Sequence, residues 1–179
     1  MTATRTDRGS TDSTTIYSED GDLTYERTFA APREAVWKAN THPELIPLWW
    51  GPHGTSTTVA EMDVRPGGAW RFVSSGPDRE DAVFYGEYLE VVPPERIKWT
   101  FMFDVEGVGP QGGPETLTLE DLGDGRTLMR AVSHMGSEEI IEQALATGMT
   151  KGAIETWDRL EALLAGADPW ARFERATHW

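Results

Sequence analysis

The sequence predicts an α+β domain: a curved antiparallel sheet of about seven strands gripping a long C-terminal helix, with two short helices near its start. Three observations predict it. From Thr57 to His134, runs with two-residue alternation follow one another and no helical run intervenes. One amphipathic stretch of helical period then closes the domain. Eight tryptophans in 179 residues supply an unusual load of large rings for a single core or pocket.

The elements follow in order. Leu23 to Phe29 alternates and reads as a strand. Pro32 suits a first helical turn, so Arg33 to Ala39 is a short helix with Val36 and Trp37 as apolar positions. His42 to Trp50 is a second short helical piece, interrupted by Pro47 and ended by Gly51-Pro52. Thr57 to Val64 is a strand, and Arg65-Pro66-Gly67-Gly68 supplies a turn into Ala69 to Ser74. Ala82 to Val92 is stopped by Pro93-Pro94. Arg96 to Phe103 puts Ile97, Trp99, Phe101 and Phe103 on one face. Glu115 to Leu122 and Arg126 to His134 form a hairpin around Gly123-Asp124-Gly125, with Leu117, Leu119, Met129 and Ala131 inside. Ser137 is the N-cap of the last helix, and Glu138 and Glu139 complement its dipole. Leu145, Met149, Ala153, Trp157, Leu160 and Leu164 form its stripe, Gly148 and Gly152 weaken it, and Gly166 is its C-cap.

Residues 1–21 are rich in Thr, Ser, Asp and Gly, with Ile16 and Tyr17 the only sizeable apolar residues after Met1, and read as a disordered tail. Residues 22–165 form the domain. Residues 166–179 form a second tail, carrying Trp170, Phe173 and Trp179.

Charge and composition exclude several functions. Thirty acidic against sixteen basic side chains give −14, unsuited to a phosphate backbone or an anionic membrane. Zero cysteines exclude a disulfide scaffold, a thiolate metal site and a cysteine nucleophile. No apolar run approaches the ~20 residues that span a bilayer, and no hydrophobic signal core opens the chain. The expectation is a cytoplasmic monomer or weak dimer.

Gly107-Val108-Gly109-Pro110-Gln111-Gly112 matches a dinucleotide fingerprint on paper, yet it joins two strands and not a strand and a helix, so it reads as a flexible hairpin loop. The four histidines have no zinc spacing, and no metal or other cofactor is expected. Ser133-His134 ends a strand near the last helix, where a capping or surface role outweighs general base. Glu61, Asp63, Glu87 and Glu90 face solvent by alternation, and no carboxylate stands out as acid or base. What remains is the aromatic and sulfur set: Trp49, Trp50, Trp70, Phe72, Trp99, Phe101, Phe103, Met129, Met149 and Trp157, converging on one predicted ligand cavity.

Several motifs resemble a known family. They are Phe29-Ala30-Ala31-Pro32-Arg33-Glu34-Ala35-Val36-Trp37, His42-Pro43-Glu44, Trp49-Trp50-Gly51-Pro52, Arg65-Pro66-Gly67-Gly68-Ala69-Trp70, Gly86-Glu87-Tyr88 with Pro93-Pro94-Glu95-Arg96, and Trp157-Asp158-Arg159-Leu160-Glu161-Ala162-Leu163-Leu164. Together they resemble the START-like helix-grip (SRPBCC) superfamily, in the branch of Hsp90-ATPase-activator homologues. Gly148-Met149 departs from relatives that carry an aromatic residue after the glycine. The resemblance implies a cavity between sheet and long helix that takes a hydrophobic small molecule. Members include lipid binders, polyketide cyclases and co-chaperone-like proteins. The chain is closest in character to the self-sacrificing enediyne (calicheamicin) resistance proteins, which confer antibiotic resistance by giving a backbone glycine hydrogen to the drug and being cleaved there. That resemblance points to Gly113 as donor, with Gly112 next. No catalytic residue and no turnover are expected on this reading. Its alternatives are a polyketide cyclase or aromatase, and an Hsp90-activator-like co-chaperone. A glycine Cα has two hydrogens and no side chain to shield them, and the radical left behind is stabilised by the flanking amides.

Overall fold

A computed structural model describes residues 4–105 and 109–166. Its strands are β1 Thr6–Asp7, β2 Thr15–Glu19, β3 Asp22–Phe29, β4 Ser56–Met62, β5 Ala69–Ser75, β6 Ala82–Val92, β7 Arg96–Val105, β8 Gly109–Asp121 and β9 Thr127–His134. Its helices are α1 Arg33–Thr41, α2 Ile46–Trp49, α3 Glu138–Leu145 and α4 Met149–Leu164. All nine strands form one antiparallel sheet in the order β1-β2-β3-β9-β8-β7-β6-β5-β4. The α+β helix-grip architecture expected from the sequence is the one observed.

Alternation decides which residues enter the core. On β7, Ile97 and Trp99 are buried, and on β8 and β9 so are Leu117, Leu119, Met129 and Ala131. Leu160 of α4 and Val36 and Ala39 of α1 close over them as one apolar cluster. A second cluster of Ile16, Leu23, Tyr25 and Ile141 lies beneath α3 and the start of α4.

Four expectations are corrected. The sheet has nine strands because part of the expected N-terminal tail is ordered. In β2, Ile16 pairs with Tyr25 of β3 and is fully buried. Arg8 reaches α3 through ion pairs with Glu138 and Glu142. One buried isoleucine is too weak a signal to reveal a strand whose burial depends on its partner. The single long helix is two helices, because Gly148 takes φ +82°, in the left-handed region that favours glycine. The stripe from Leu145 to Met149 runs across that break and conceals it. Pro47 sits in the first turn of α2 and does not interrupt it. Gly166 does not adopt a left-handed cap, since Ala165 ends α4 in the helical region. The expected tail from residue 167 onward lies outside the described residues.

Ser137 caps α3 as expected, its hydroxyl accepting from the Ile140 amide at 3.3 Å. The ordered N-terminal segment also completes a buried cation. Arg27 is 2% exposed, and its Nε and Nη2 donate to Thr14 Oγ1 at 2.8 and 2.6 Å. Its Nη1 donates to Asp158 Oδ1 on α4 at 2.8 Å. Thr14→Val leaves two guanidinium donors without their acceptor, an expected loss of about 1–3 kcal/mol in urea unfolding. A wild-type midpoint would show that the segment contributes nothing to the fold.

Candidate functional site

The register of β8 builds the site. Trp99 faces Glu115, and Phe101 faces Gly113. Across the other edge Ser133 faces Glu115, and Leu23 faces Ser133. A row therefore crosses the inner face of the sheet as Leu23, Ser133, Glu115, Trp99 and Tyr88. Glu115 has the parity of Leu117 and Leu119, which are buried. It is a carboxyl group placed among core residues.

Both carboxyl oxygens of Glu115 are engaged. Trp99 Nε1 donates to Oε1 at 3.1 Å, and Ser133 Oγ donates to Oε2 at 2.8 Å. Burial pushes the Glu115 carboxyl above its ordinary value of 4.5, against the opposing pull of these two donors and of His134. Burial also raises Tyr25, and the charge of Glu115 adds to that rise. The Tyr25 hydroxyl is buried without a hydrogen-bond partner. Thr150 on α4 is its polar neighbour and opposes that rise.

Within α4 only Leu160 is buried, and Trp157, Ala153 and Met149 all keep accessible surface. On the facing sheet Gly113, Glu115, Ser133 and Phe101 keep surface too. Burial raises the Glu115 carboxyl, and yet the side chain retains some surface. Trp157 packs against both apolar clusters, and Glu115, Ser133 and Tyr25 are polar groups on the same inner face of the sheet.

The ten expected ligand contacts divide into two groups. Trp49, Trp70, Phe72, Trp99 and Met129 are at most 4% exposed and serve as core. Trp70 stacks on Trp99 at 4.8 Å between centroids. Trp50, Phe101, Phe103, Met149 and Trp157 retain surface. Trp50 stacks on Phe101 at 5.9 Å, and Trp157 meets Tyr25 edge-on at 6.3 Å. Mutual stacking uses up much of the aromatic area that the sequence assigns to a ligand.

The Trp157-Asp158-Arg159-Leu160 stretch gives each residue a separate task. Trp157 packs against both apolar clusters, Asp158 pairs with Arg27, and Leu160 is core. Arg159 Nη1 donates to the carbonyls of Trp50 and Gly51 at 3.0 and 2.9 Å, which fastens α4 to the end of α2.

The glycine segment is corrected most. Gly109 to Pro114 belongs to β8 and pairs with β7, so over these residues it is a strand and not a loop. Gly107 and Val108 lie outside the described residues. Gly112 takes φ +122°, and a Cβ there would fall 2.0 Å from the Phe101 carbonyl oxygen. Gly113 has ordinary φ, and the nearest atom to its would-be Cβ is the His134 carbonyl oxygen at 3.7 Å. His134 itself is exposed, between Asp22 Oδ1 at 3.0 Å and Thr116 Oγ1 at 3.1 Å. Ser133, not His134, is the member of that pair that faces inward.

Glu115 is the residue the sequence reading missed. Its signal was present in its two-residue spacing from Leu117 and Leu119. A carboxyl group that is harder to ionise when folded stabilises the fold below its unfolded pKa and loses that contribution as pH rises through its folded pKa. Wild type should therefore lose stability relative to Glu115→Gln as pH increases above about 4.5. Urea unfolding of both proteins across a pH series checks this. A stability difference that does not change with pH would refute it.

Among the described residues no group of three or more His, Asp or Glu could hold a metal, and no helix is long and apolar enough to cross a membrane. Comparison with the curated proteins gives no match. Among solved structures, protein Ms6760 from Mycobacterium smegmatis is 30% identical, with 83% of this chain and 94% of that chain covered and a TM-score of 0.73. A protein from Rhodobacter sphaeroides is 28% identical, covering 86% of this chain and 99% of its own, at a TM-score of 0.74. CalU16 from Micromonospora echinospora is 20% identical, with 100% and 96% covered and a TM-score of 0.52, a likeness of fold alone. The family described as Activator of Hsp90 ATPase homolog 1-like protein matches residues 30–165, from the end of β3 to the end of α4, and the chain belongs to that family.

Proposed function

We propose that the chain binds an apolar, ring-bearing small molecule between the sheet and α4, and that this molecule is an enediyne quenched at Gly113. One observation supports the reading above others. Gly113 has the inward parity of Glu115 and lies opposite Phe101, and a side chain there would meet its first neighbour, the His134 carbonyl oxygen, at an ordinary contact of 3.7 Å. Its Cα–H bonds therefore have no side chain of their own over them and lie next to aromatic surface suited to a flat ligand.

The chemistry requires no catalytic residue. A radical centre of the activated drug takes one hydrogen atom from the Gly113 Cα, forming a C–H bond on the drug and a carbon radical on the backbone. Dioxygen adds to that radical, and the peroxyl takes a hydrogen atom from the thiol that activates the drug. The hydroperoxide loses water to leave an imide. Hydrolysis of the N–Cα bond gives an amide-ended and an oxalyl-ended fragment. Each protein molecule is spent once, so the protein protects by stoichiometry. Incubating deuterated-glycine protein with an activated enediyne is expected to place deuterium in the quenched drug and give two fragments divided at Gly113. An intact chain, or unchanged cleavage in Gly113→Val, would sink the reading.

A further inference from the structure

We propose that Thr116, on the outer face of the sheet, is a self-acylation site. Its hydroxyl takes the acyl group of an activated ester, with His134 as general base and Asp22 positioning the imidazole. The proposal is independent of the ligand reading above, which concerns the inner face.

Strand register brings the three residues together. Leu23, Ser133 and Glu115 share the inner face, so Asp22, His134 and Thr116, each one residue away, share the outer one. Asp22 of β3 and His134 of β9 are direct partners. Thr116 of β8 pairs with Val132, which sets it diagonal to His134. His134 Nδ1 is 3.0 Å from Asp22 Oδ1, and His134 Nε2 is 3.1 Å from Thr116 Oγ1. A carboxylate only accepts, so Nδ1 carries the ring proton. In the neutral imidazole Nε2 then has the lone pair, and the Thr116 hydroxyl donates to it. A hydroxyl donating to an imidazole whose far nitrogen is held by a carboxylate is the arrangement that activates an oxygen nucleophile.

Two other threonines show what sets Thr116 apart. Thr41 Oγ1 stands 3.4 Å from His42 Nδ1, but it donates to the Trp37 carbonyl at 2.8 Å, so its proton is already engaged. Thr118 lies two residues along β8 on the same outer face, between Arg96 and Arg130 in the register. Thr116, His134 and Asp22 all keep surface, so a small reagent reaches them from solvent.

The surroundings also select the acyl donor. β8 is paired on both edges, so its backbone amides are used in the ladder and are not free to stabilise an oxyanion. The donor must therefore be activated already, as a thioester or an aryl ester is. Thr116 Oγ1 bonds to the acyl carbon, and the bond from that carbon to the leaving sulfur or oxygen breaks. The leaving group departs with that electron pair as thiolate or phenolate. The hydroxyl proton passes to His134 Nε2 and from there to solvent.

The test incubates the full chain with p-nitrophenyl acetate near neutral pH, quenches in acid and maps the peptides by mass spectrometry. An acetyl ester on Thr116, removable by hydroxylamine, is expected, with none on Thr41 or Thr118. Acetyl amides on Lys38, Lys98 or Lys151 resist hydroxylamine and are distinguished by it. His134→Gln should slow Thr116 acetylation about 100-fold. Asp22→Asn should slow it about tenfold, and nitrogen NMR should show the His134 ring passing from one tautomer to a mixture. Thr116→Ser should keep the reaction, since it keeps the hydroxyl in place. Rates are compared among variants whose thermal melts match wild type. An unmodified Thr116 overturns the proposal, as does equal acetylation of Thr118. A Thr116 ester that forms as fast in His134→Gln as in wild type overturns it too.

Discussion

Gly112→Ala is expected to destroy the folded sheet under conditions in which Gly113→Ala remains folded. The two glycines are adjacent and chemically identical, and only their backbone geometry separates them. At Gly112, φ is +122°, a region that costs any L side chain dearly. A methyl group there would also stand 2.0 Å from the Phe101 carbonyl oxygen and 3.0 Å from the Met102 Cα, both backbone atoms of β7. No rotamer can relieve a backbone collision, so β7 and β8 must part locally. At Gly113 the same methyl group makes an ordinary contact at 3.7 Å. Thermal melts followed by circular dichroism measure the contrast, and equal melting temperatures would refute it. The difference also decides how hydrogen donation should be tested. Loss of cleavage in a Gly112 variant would report unfolding, whereas loss in a Gly113 variant reports the donor.

Trp70→Ala is expected to cost about 3–5 kcal/mol of stability, the range for removing a buried aromatic from a packed core. Trp70 is 1% exposed. Its ring stacks on Trp99 at 4.8 Å and meets Phe72 at 4.9 Å and Phe101 at 5.3 Å. Its Nε1 donates to the Thr100 carbonyl at 3.2 Å, so truncation removes a hydrogen bond as well as volume. Urea unfolding with a free m-value provides the measurement. A loss below about 1 kcal/mol would mean that this stack is not part of the cooperative core. Phe103→Ala makes a useful contrast, because Phe103 is only half-buried and meets Phe84 at 6.5 Å.

Local rules expose those parts of the fold that local rules determine. The strand over Ala82–Val92 is found with the bounds its alternation and the following Pro-Pro predict. The Asp-Gly hairpin and the Ser137 cap appear where turn and cap chemistry put them. What stays hidden depends on distant partners. Gly109 to Pro114 carries three glycines and two prolines and reads as a loop, yet pairing along β7 makes it strand. There Phe101 stands opposite Gly113 in the register. The Thr15–Glu19 strand is polar enough to pass for a tail until Tyr25 lies beside Ile16. The aromatic set was legible as a group, though its division into buried and partly exposed members required tertiary packing. Glu115 escaped notice because an acidic residue in so acidic a chain looks ordinary until strand parity is applied to it.

The position of β3 bears on the order in which the chain can fold. From β5 to β9 each strand pairs with the one before it, so those hairpins can form as the chain lengthens. β3 has only β2 beside it until β9 exists, since Asp22 pairs with His134 and Phe29 with Thr127. During synthesis the first strands must wait with one edge open until the ribosome has released the last strand. Closing that loop is the long-range step, and it sets the pace at which the sheet becomes continuous.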